Sequence, residues 1–155
     1  MNGFRKGVAL QAAVVAFVGV ACSSSGTSSA PGPSTNTAQP ENVAVTIKQW
    51  SITPSATTIR GGKITFTVKN EGTIAHEFVV LRTDTPAADF PIATFEGEPN
   101  RFDEDAAGEN DGETGDMEAG TTKSLTISLK PGHYALFCNL PAHYGLGMRT
   151  DFTVS

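Results

Sequence analysis

Two short runs constrain the fold before anything else does. In Val43-Ala44-Val45-Thr46-Ile47-Lys48 and in Ile64-Thr65-Phe66-Thr67-Val68-Lys69, large apolar residues alternate with polar or small ones. Successive side chains of a β-strand point to opposite faces, so this period of two marks strands with one face buried. Trp50 and Ile52 extend the first segment towards Pro54. Further strands are expected over His76–Leu81, Leu125–Leu129, Tyr134–Cys138 and Arg149–Val154, with turn signals at Asn70-Glu71-Gly72 and Pro131-Gly132. No long run places apolar residues at helical spacing. Residues 42–155 are therefore expected to form an all-β domain, an antiparallel β-sandwich or Greek-key barrel. The expected core is Val45, Ile47, Trp50, Ile64, Phe66, Val68, Phe78, Val80, Leu125, Ile127, Leu129, Tyr134, Leu136, Phe152 and Val154.

What precedes the domain has a different texture. Residues 1–21 open with Asn2, Arg5 and Lys6 and continue as an apolar run from Val8 to Ala21, interrupted by Gln11 and Gly19. That is the order of a secretory signal, and the run is too short for a stable membrane helix. Its end, Val18-Gly19-Val20-Ala21-Cys22, resembles a bacterial lipoprotein signal, which implies a lipid on Cys22 and an exported chain at the periplasm or cell surface. Residues 22–41 are rich in Ser, Thr, Pro and Gly and are expected to be a flexible tether, because they cannot bury enough apolar surface to offset their ordering entropy. The chain's formal charge of −5 becomes −7 once Arg5 and Lys6, the only charges in residues 1–21, are removed. An acidic domain of this kind excludes nucleic acid and anionic membrane surfaces as electrostatic partners. Membrane association is expected only through a lipid at Cys22.

Between Asp103 and Glu118 lie eight acidic residues and neither Lys nor Arg. A solvated, mobile loop is the expectation here. Asp103, Asp105, Asp111 and Asp116 are oxygen donors, but their spacing does not match a calcium loop, and a docking patch for a basic partner is the better alternative. Upstream of it, Phe90, Ile92 and Phe95 could pack as a short covering segment.

The chemistry concentrates in Cys138-Asn139-Leu140-Pro141-Ala142-His143-Tyr144-Gly145-Leu146-Gly147-Met148. A thiolate, an imidazole and a thioether share this stretch, and a second imidazole, His76, lies far upstream. Each residue alone has an ordinary reading: a buried Cys, a loop His, a core Met. Together, one soft anion, two imidazole nitrogens and one weak sulfur form the donor set of an electron-transfer copper site. Structural zinc sites gather pairs of strong ligands and no Met, so zinc suits the set less well. A disulfide between Cys22 and Cys138 would consume the thiolate in the middle of the ligand stretch and is disfavoured. His133 follows a turn and is read as exposed and structural, and Met117 is a weaker rival to Met148 as the soft ligand.

On the residues Gly132 to Val154 together with His76, the chain resembles the cupredoxins, the plastocyanin/azurin-like blue copper proteins. Its Cys-x4-His spacing is similar to the azurin type and its His-x4-Met spacing to plastocyanin, a combination close to small lipoprotein-type or sulfocyanin-like members. The resemblance implies a Greek-key β-sandwich and one copper ion, cycling between Cu(I) and Cu(II), held by His76, Cys138, His143 and Met148. It also implies that Glu77 and Asn139 occupy positions from which the site could be supported. His143 is expected to face solvent inside a collar of Pro141, Ala142, Tyr144 and Leu146, where redox protein partners would dock. The function implied is electron transfer by a monomer and not catalysis, since one Cys-containing site without a second His cluster argues against an enzyme. The alternative is a copper protein for storage, delivery or resistance, although the Met- or His-rich tracts usual in such proteins are missing here.

Overall fold

The computed structural model describes residues 41–155; the signal segment, Cys22 and nearly all of the tether lie outside the described residues. Eleven strands and one helical turn make up the described chain. The first sheet contains β1 (Glu41–Lys48), β2 (Ser51–Pro54), β4 (Gly62–Asn70) and β9 (Thr122–Leu129), in the order β2-β1-β4-β9. The second contains β3 (Thr58–Ile59), β5 (Val79–Arg82), β8 (Glu109–Glu113), β10 (Gly132–Phe137) and β11 (Arg149–Val154), in the order β3-β11-β10-β5-β8. A small hairpin pairs β6 (Ala93–Phe95) with β7 (Glu98–Arg101), and α1 spans Glu104–Ala107.

The β-sandwich expected from the alternation is therefore present, with one correction. The sheets are mixed and not purely antiparallel: β1 runs parallel to β4, with Val43 opposite Phe66 and Val45 opposite Val68, and β11 runs parallel to β3. Pairing direction is set by how the chain crosses between sheets, which a period-two pattern does not encode.

The main core lies between the sheets. Val43, Val45, Ile47, Ile64, Phe66 and Val68 from the first sheet meet Phe78, Val80, Tyr134, Leu136, Phe152 and Val154 from the second. Burying each such side chain contributes about 1.5–3 kcal/mol before entropy is counted. Leu125 and Ile127, expected in this core, are half-buried at its edge. A second apolar cluster covers the outer face of the second sheet. Val79, Leu81, Ala135 and Phe137, out of phase with the first set, pack against Ala87, Phe90, Phe102 and Tyr144. Strands buried on both faces read as continuous apolar runs, which is why Phe78–Leu81 and Tyr134–Phe137 do not alternate.

The segment after Phe102 corrects a second expectation. It is not a free loop. Asp103 caps α1 by accepting from Ala106 N–H, β8 pairs with β5, and Met117 is fully buried. Lys123 donates to the carbonyls of Thr114 and Asp116. Of its acidic residues, Glu109, Asp111 and Glu113 alternate along the edge strand β8, and backbone pairing plus one buried thioether order the segment. Phe90 packs as the covering segment requires, whereas Ile92 stands exposed.

Trp50 is the third departure. It is not in the core but 39% exposed, in the turn between β1 and β2 where Lys48 pairs with Ser51. The inward positions of β1 are odd-numbered, ending at Ile47, so an even position just past the strand end falls outside that face.

Candidate metal centre

The site sits at the end of the sandwich where β10 stops. Tyr134 and Leu136 face the core, and Cys138, two residues on, continues their face with its side chain fully buried. The chain then turns sharply. Ala142 at φ 70° and Gly147 at φ 118° take left-handed or extended-positive conformations. Backbone N–H groups of His143, Leu146, Gly147 and Met148 donate to the carbonyls of Leu140, Ala142, Tyr144 and His143. Cys138 N–H donates to Met148 O across the mouth of the loop at 3.0 Å. The whole stretch is thus braced by its own backbone, and Met148, fully buried, joins the same apolar cluster as Cys138.

His76 arrives from the other side. It does not lie in a strand as expected; β5 begins only at Val79, and His76 instead forms an isolated bridge with Met117. Its N–H donates to Met117 O at 3.1 Å, and Met117 N–H returns the bond at 2.7 Å. Asn70, fully buried, shapes the approach: its amide donates to the carbonyls of Ile74 and Met117, and its carbonyl accepts from Gly72 N–H.

Three donors converge. Nδ1 of His76 lies 3.1 Å from Nδ1 of His143, and Sγ of Cys138 lies 3.3 Å from the same His143 nitrogen. All three ligand atoms fall within 4.8 Å of one another, and among the described residues no other His, Cys, Asp or Glu group of three does so. Burial, reinforced by His143, lowers the pKa of His76 to about 4, and burial lowers that of His143. Both imidazoles are neutral near pH 7, as metal ligands must be. Burial pushes the Cys138 thiol up to about 12, against N–H donors at Glu77 and Leu140 that favour the thiolate. A thiol this reluctant to ionise needs a bound cation to become the anion.

The donor set fits copper. Two imidazoles and one thiol converge, no carboxylate intrudes, and the thioether of Met148 is buried in the same cluster. Nδ1 of His76, 3.1 Å from Nδ1 of His143, is the nitrogen turned to the centre, and Nε2 is buried without a protein partner.

Around these donors, Glu77 bridges the two halves. Its N–H approaches Cys138 Sγ at 3.4 Å, and its carboxylate accepts from Asn139 N–H at 2.7 Å. Burial raises the Glu77 pKa to about 7. Asn139, fully buried, exchanges bonds with the backbone of Phe102 and donates to Glu104, whose pKa is likewise raised by burial. The expected collar is half right. Leu146 is 51% exposed and Pro141 is exposed, but Tyr144 is buried, its hydroxyl donating to Ala87 O and accepting from Phe90 N–H. His133 is half-buried and clamped between Thr83 O and Asp151.

Sequence reasoning missed Trp50, Gln49, Asn70 and Gly72. The indole of Trp50 stands edge-on to His143 with centroids 5.1 Å apart. The usable signal was that Trp50 breaks the odd-numbered phase of β1; for Asn70 and Gly72 only a turn signal was present.

A model of the copper-binding proteins of the plastocyanin/azurin family matches residues 40–155. No match was found among curated proteins. Among solved structures, the chain is similar to the dithionite-reduced auracyanin of the photosynthetic bacterium Roseiflexus castenholzii. The two share 21% identity at a TM-score of 0.55, over 74% of this chain and 96% of that one. It is also similar to auracyanin A, a "blue" copper protein of Chloroflexus aurantiacus (16% identity, TM-score 0.52, 76% of this chain and 100% of the other). An azurin of Methylomonas sp. strain J gives 17% identity and a TM-score of 0.52, over 76% and 99% of the respective chains. At these identities the structural likeness speaks for the fold.

Proposed function

Since the chain belongs to the plastocyanin/azurin family of copper-binding proteins, we propose that it is a type 1 (blue) copper electron carrier whose metal ligands are His76, Cys138, His143 and Met148. Copper bound there supplies a one-electron couple between Cu(II) and Cu(I). The residues supply a rigid cage. The observation that carries the reading is the convergence of two Nδ1 atoms and one buried Sγ within 4.8 Å, at the end of a sandwich core. His76 is fixed by its backbone bridge to Met117 and the C-terminal loop by its own hydrogen bonds, so neither need move when charge changes. N–H groups of Glu77 and Leu140 point at Cys138 and stabilise negative charge on sulfur. Half-buried His143 marks the side from which a redox protein would approach, through the small kind of interface that fast electron exchange uses.

The test is addition of Cu(II) to the purified protein. An intense visible thiolate-to-copper band with a narrow EPR hyperfine pattern is expected, and Cys138→Ser abolishes it. Colourless binding would sink the reading. Met148→Leu is expected to keep copper and raise the potential, while Met117→Leu leaves the potential near native; the reverse pattern would transfer the thioether role to Met117.

Residues 1–21 are read as an export signal, 22–41 as a tether and 42–155 as the copper domain, with Cys22 lipidated. This reading rests on the order of basic, apolar and small residues before Cys22. Under it, Cys22→Ala moves the protein from the membrane fraction to the soluble fraction of cells, and unchanged fractionation would refute the anchor.

A further inference from the structure

The turn Gln49-Trp50 belongs to neither ligand loop, yet it is fastened to both. The Gln49 side chain donates to Thr73 Oγ1 at 2.7 Å and accepts from Thr73 N–H at 3.1 Å. Beneath it, a Cβ on Gly72 would lie 2.6 Å from Gln49 Oε1 and 2.9 Å from His76 Nε2, so the turn, the glycine and the imidazole are in close packing. On the other side, a Cβ on Gly147 would come within 3.1 Å of the Trp50 carbonyl, which places the backbone of the turn against the C-terminal loop.

The indole projects from this support onto the two imidazoles. Its ring lies edge-on to His143 at 5.1 Å and 66°, and to His76 at 6.4 Å and 87°. The imidazole centroids are themselves 4.9 Å apart, so the three rings form one contiguous aromatic group. Edge-to-face pairs at these separations have a defined geometry, and each restricts the rotation of its neighbour. Trp50 is 39% exposed: one part faces the imidazoles and another faces water.

We propose that Trp50 is a positioning residue and a shield for the metal centre. It holds the His143 ring in its ligating orientation and closes that side of the centre to chelators and small anions from solution. The inference rests on the copper reading above. It adds that resistance of the site to exchange is set by a residue that is not a ligand.

Trp50→Ala and Trp50→Phe, loaded with Cu(II), test it with EDTA and azide as probes. Trp50→Ala is expected to lose copper to EDTA about 10–100-fold faster than native, if the 10–100-fold loss of affinity usual when a group supporting a ligand is removed falls on release. It should also change its visible spectrum on addition of azide. Trp50→Phe, which restores an aromatic edge, is expected to recover most of both properties. A merely structural tryptophan would lower the unfolding midpoint of the copper-free protein without admitting azide. Loss of copper at the native rate with no response to azide overturns the proposal, and if Trp50→Ala does not fold, Trp50→Leu is read in the same way. A third measurement is independent of copper: in the metal-free native protein, NMR cross-relaxation between the indole and His143 ring protons is expected, and its absence also overturns the proposal. If the native protein itself gives no thiolate band, the copper reading fails, and this NMR measurement still decides the contact.

Discussion

The two loops that carry the proposed ligands are built by different means. Residues 138–148 carry the proposed ligands Cys138, His143 and Met148 and are braced by backbone bonds between residues at most ten apart, such as Leu146 N–H to Ala142 O and Cys138 N–H to Met148 O. The loop 70–77 supplies only His76, and it is held from elsewhere. The side chain of Asn70 reaches Met117, Gln49 reaches Thr73, and Met117 pairs its backbone with that of His76. One loop is braced mainly by its own backbone, with side-chain ties to residues 87, 90 and 102; the bonds that place His76 come mainly from residues more than twenty positions away. A mutation should therefore spread further when it strikes the upstream loop.

A pair of variants puts that difference to the largest test. Asn70→Ala removes the donor to the carbonyls of Ile74 and Met117 and the acceptor for Gly72 N–H. Met117 O keeps the His76 N–H, but Ile74 O and Gly72 N–H lose their partners, at a cost on the order of 3 kcal/mol. The anchor of the downstream loop is Tyr144, whose hydroxyl serves Ala87 O and Phe90 N–H. Tyr144→Phe keeps the ring and loses those bonds, costing about 2 kcal/mol in urea unfolding of the copper-free protein. The sharper readout is affinity for copper. Asn70→Ala is expected to weaken it by releasing His76, while Tyr144→Phe leaves it near native because the backbone braces around His143 and Met148 remain. Equal loss of affinity in both variants would break the contrast between the loops.

The same difference decides what could be read from the sequence. Local order is written locally: the alternation in 43–48 and 64–69, Pro141 and the glycines in the C-terminal loop, and the ligand spacing all sit within a few residues of what they specify. The sandwich was legible for that reason, and so were the candidates: Cys138, His143 and Met148 on one loop, and His76 as the one imidazole near a turn signal upstream. What holds His76 was not. Asn70 is a common turn residue, and nothing near it announces a bond to Met117, 47 residues away. The acidic run 103–118 misled in the same manner. Its composition describes the side chains facing water, while its order comes from pairing with β5 and from the burial of Met117, contacts that lie outside its own window. Trp50 reads as a core residue because tryptophan is apolar, yet the rings that receive it come from two distant loops.

Glu77 joins the two loops, and its titration gives the smallest and most specific test of that junction. Its carboxylate accepts from Asn139 N–H, and burial lifts its pKa from the ordinary 4.5 to about 7, with Glu104 and Glu113 raising it further and Arg101 and the Asn139 bond opposing. Between those two values the folded protein holds a proton that the unfolded chain has lost. Stability is therefore full below about pH 4.5 and falls as pH rises through 7. For a half-buried side chain, partial solvent screening keeps the change to about 1 kcal/mol. Glu77→Gln retains an oxygen for Asn139 N–H and carries no charge. Other carboxylates contribute too: Glu104, also raised by burial, with the same sign, and Glu71, held below the ordinary 4.5 by Lys69 and Lys48, with the opposite sign at the acid end. The informative quantity is therefore the difference between native and variant unfolding free energies, measured on copper-free protein across pH 4 to 8. That difference is expected to move in favour of the variant as pH rises, with most of the change between pH 4.5 and 7. Parallel curves would mean that the carboxylate ionises freely in the folded protein, and the junction between the loops would then rest on Asn139 and the Glu77 backbone alone.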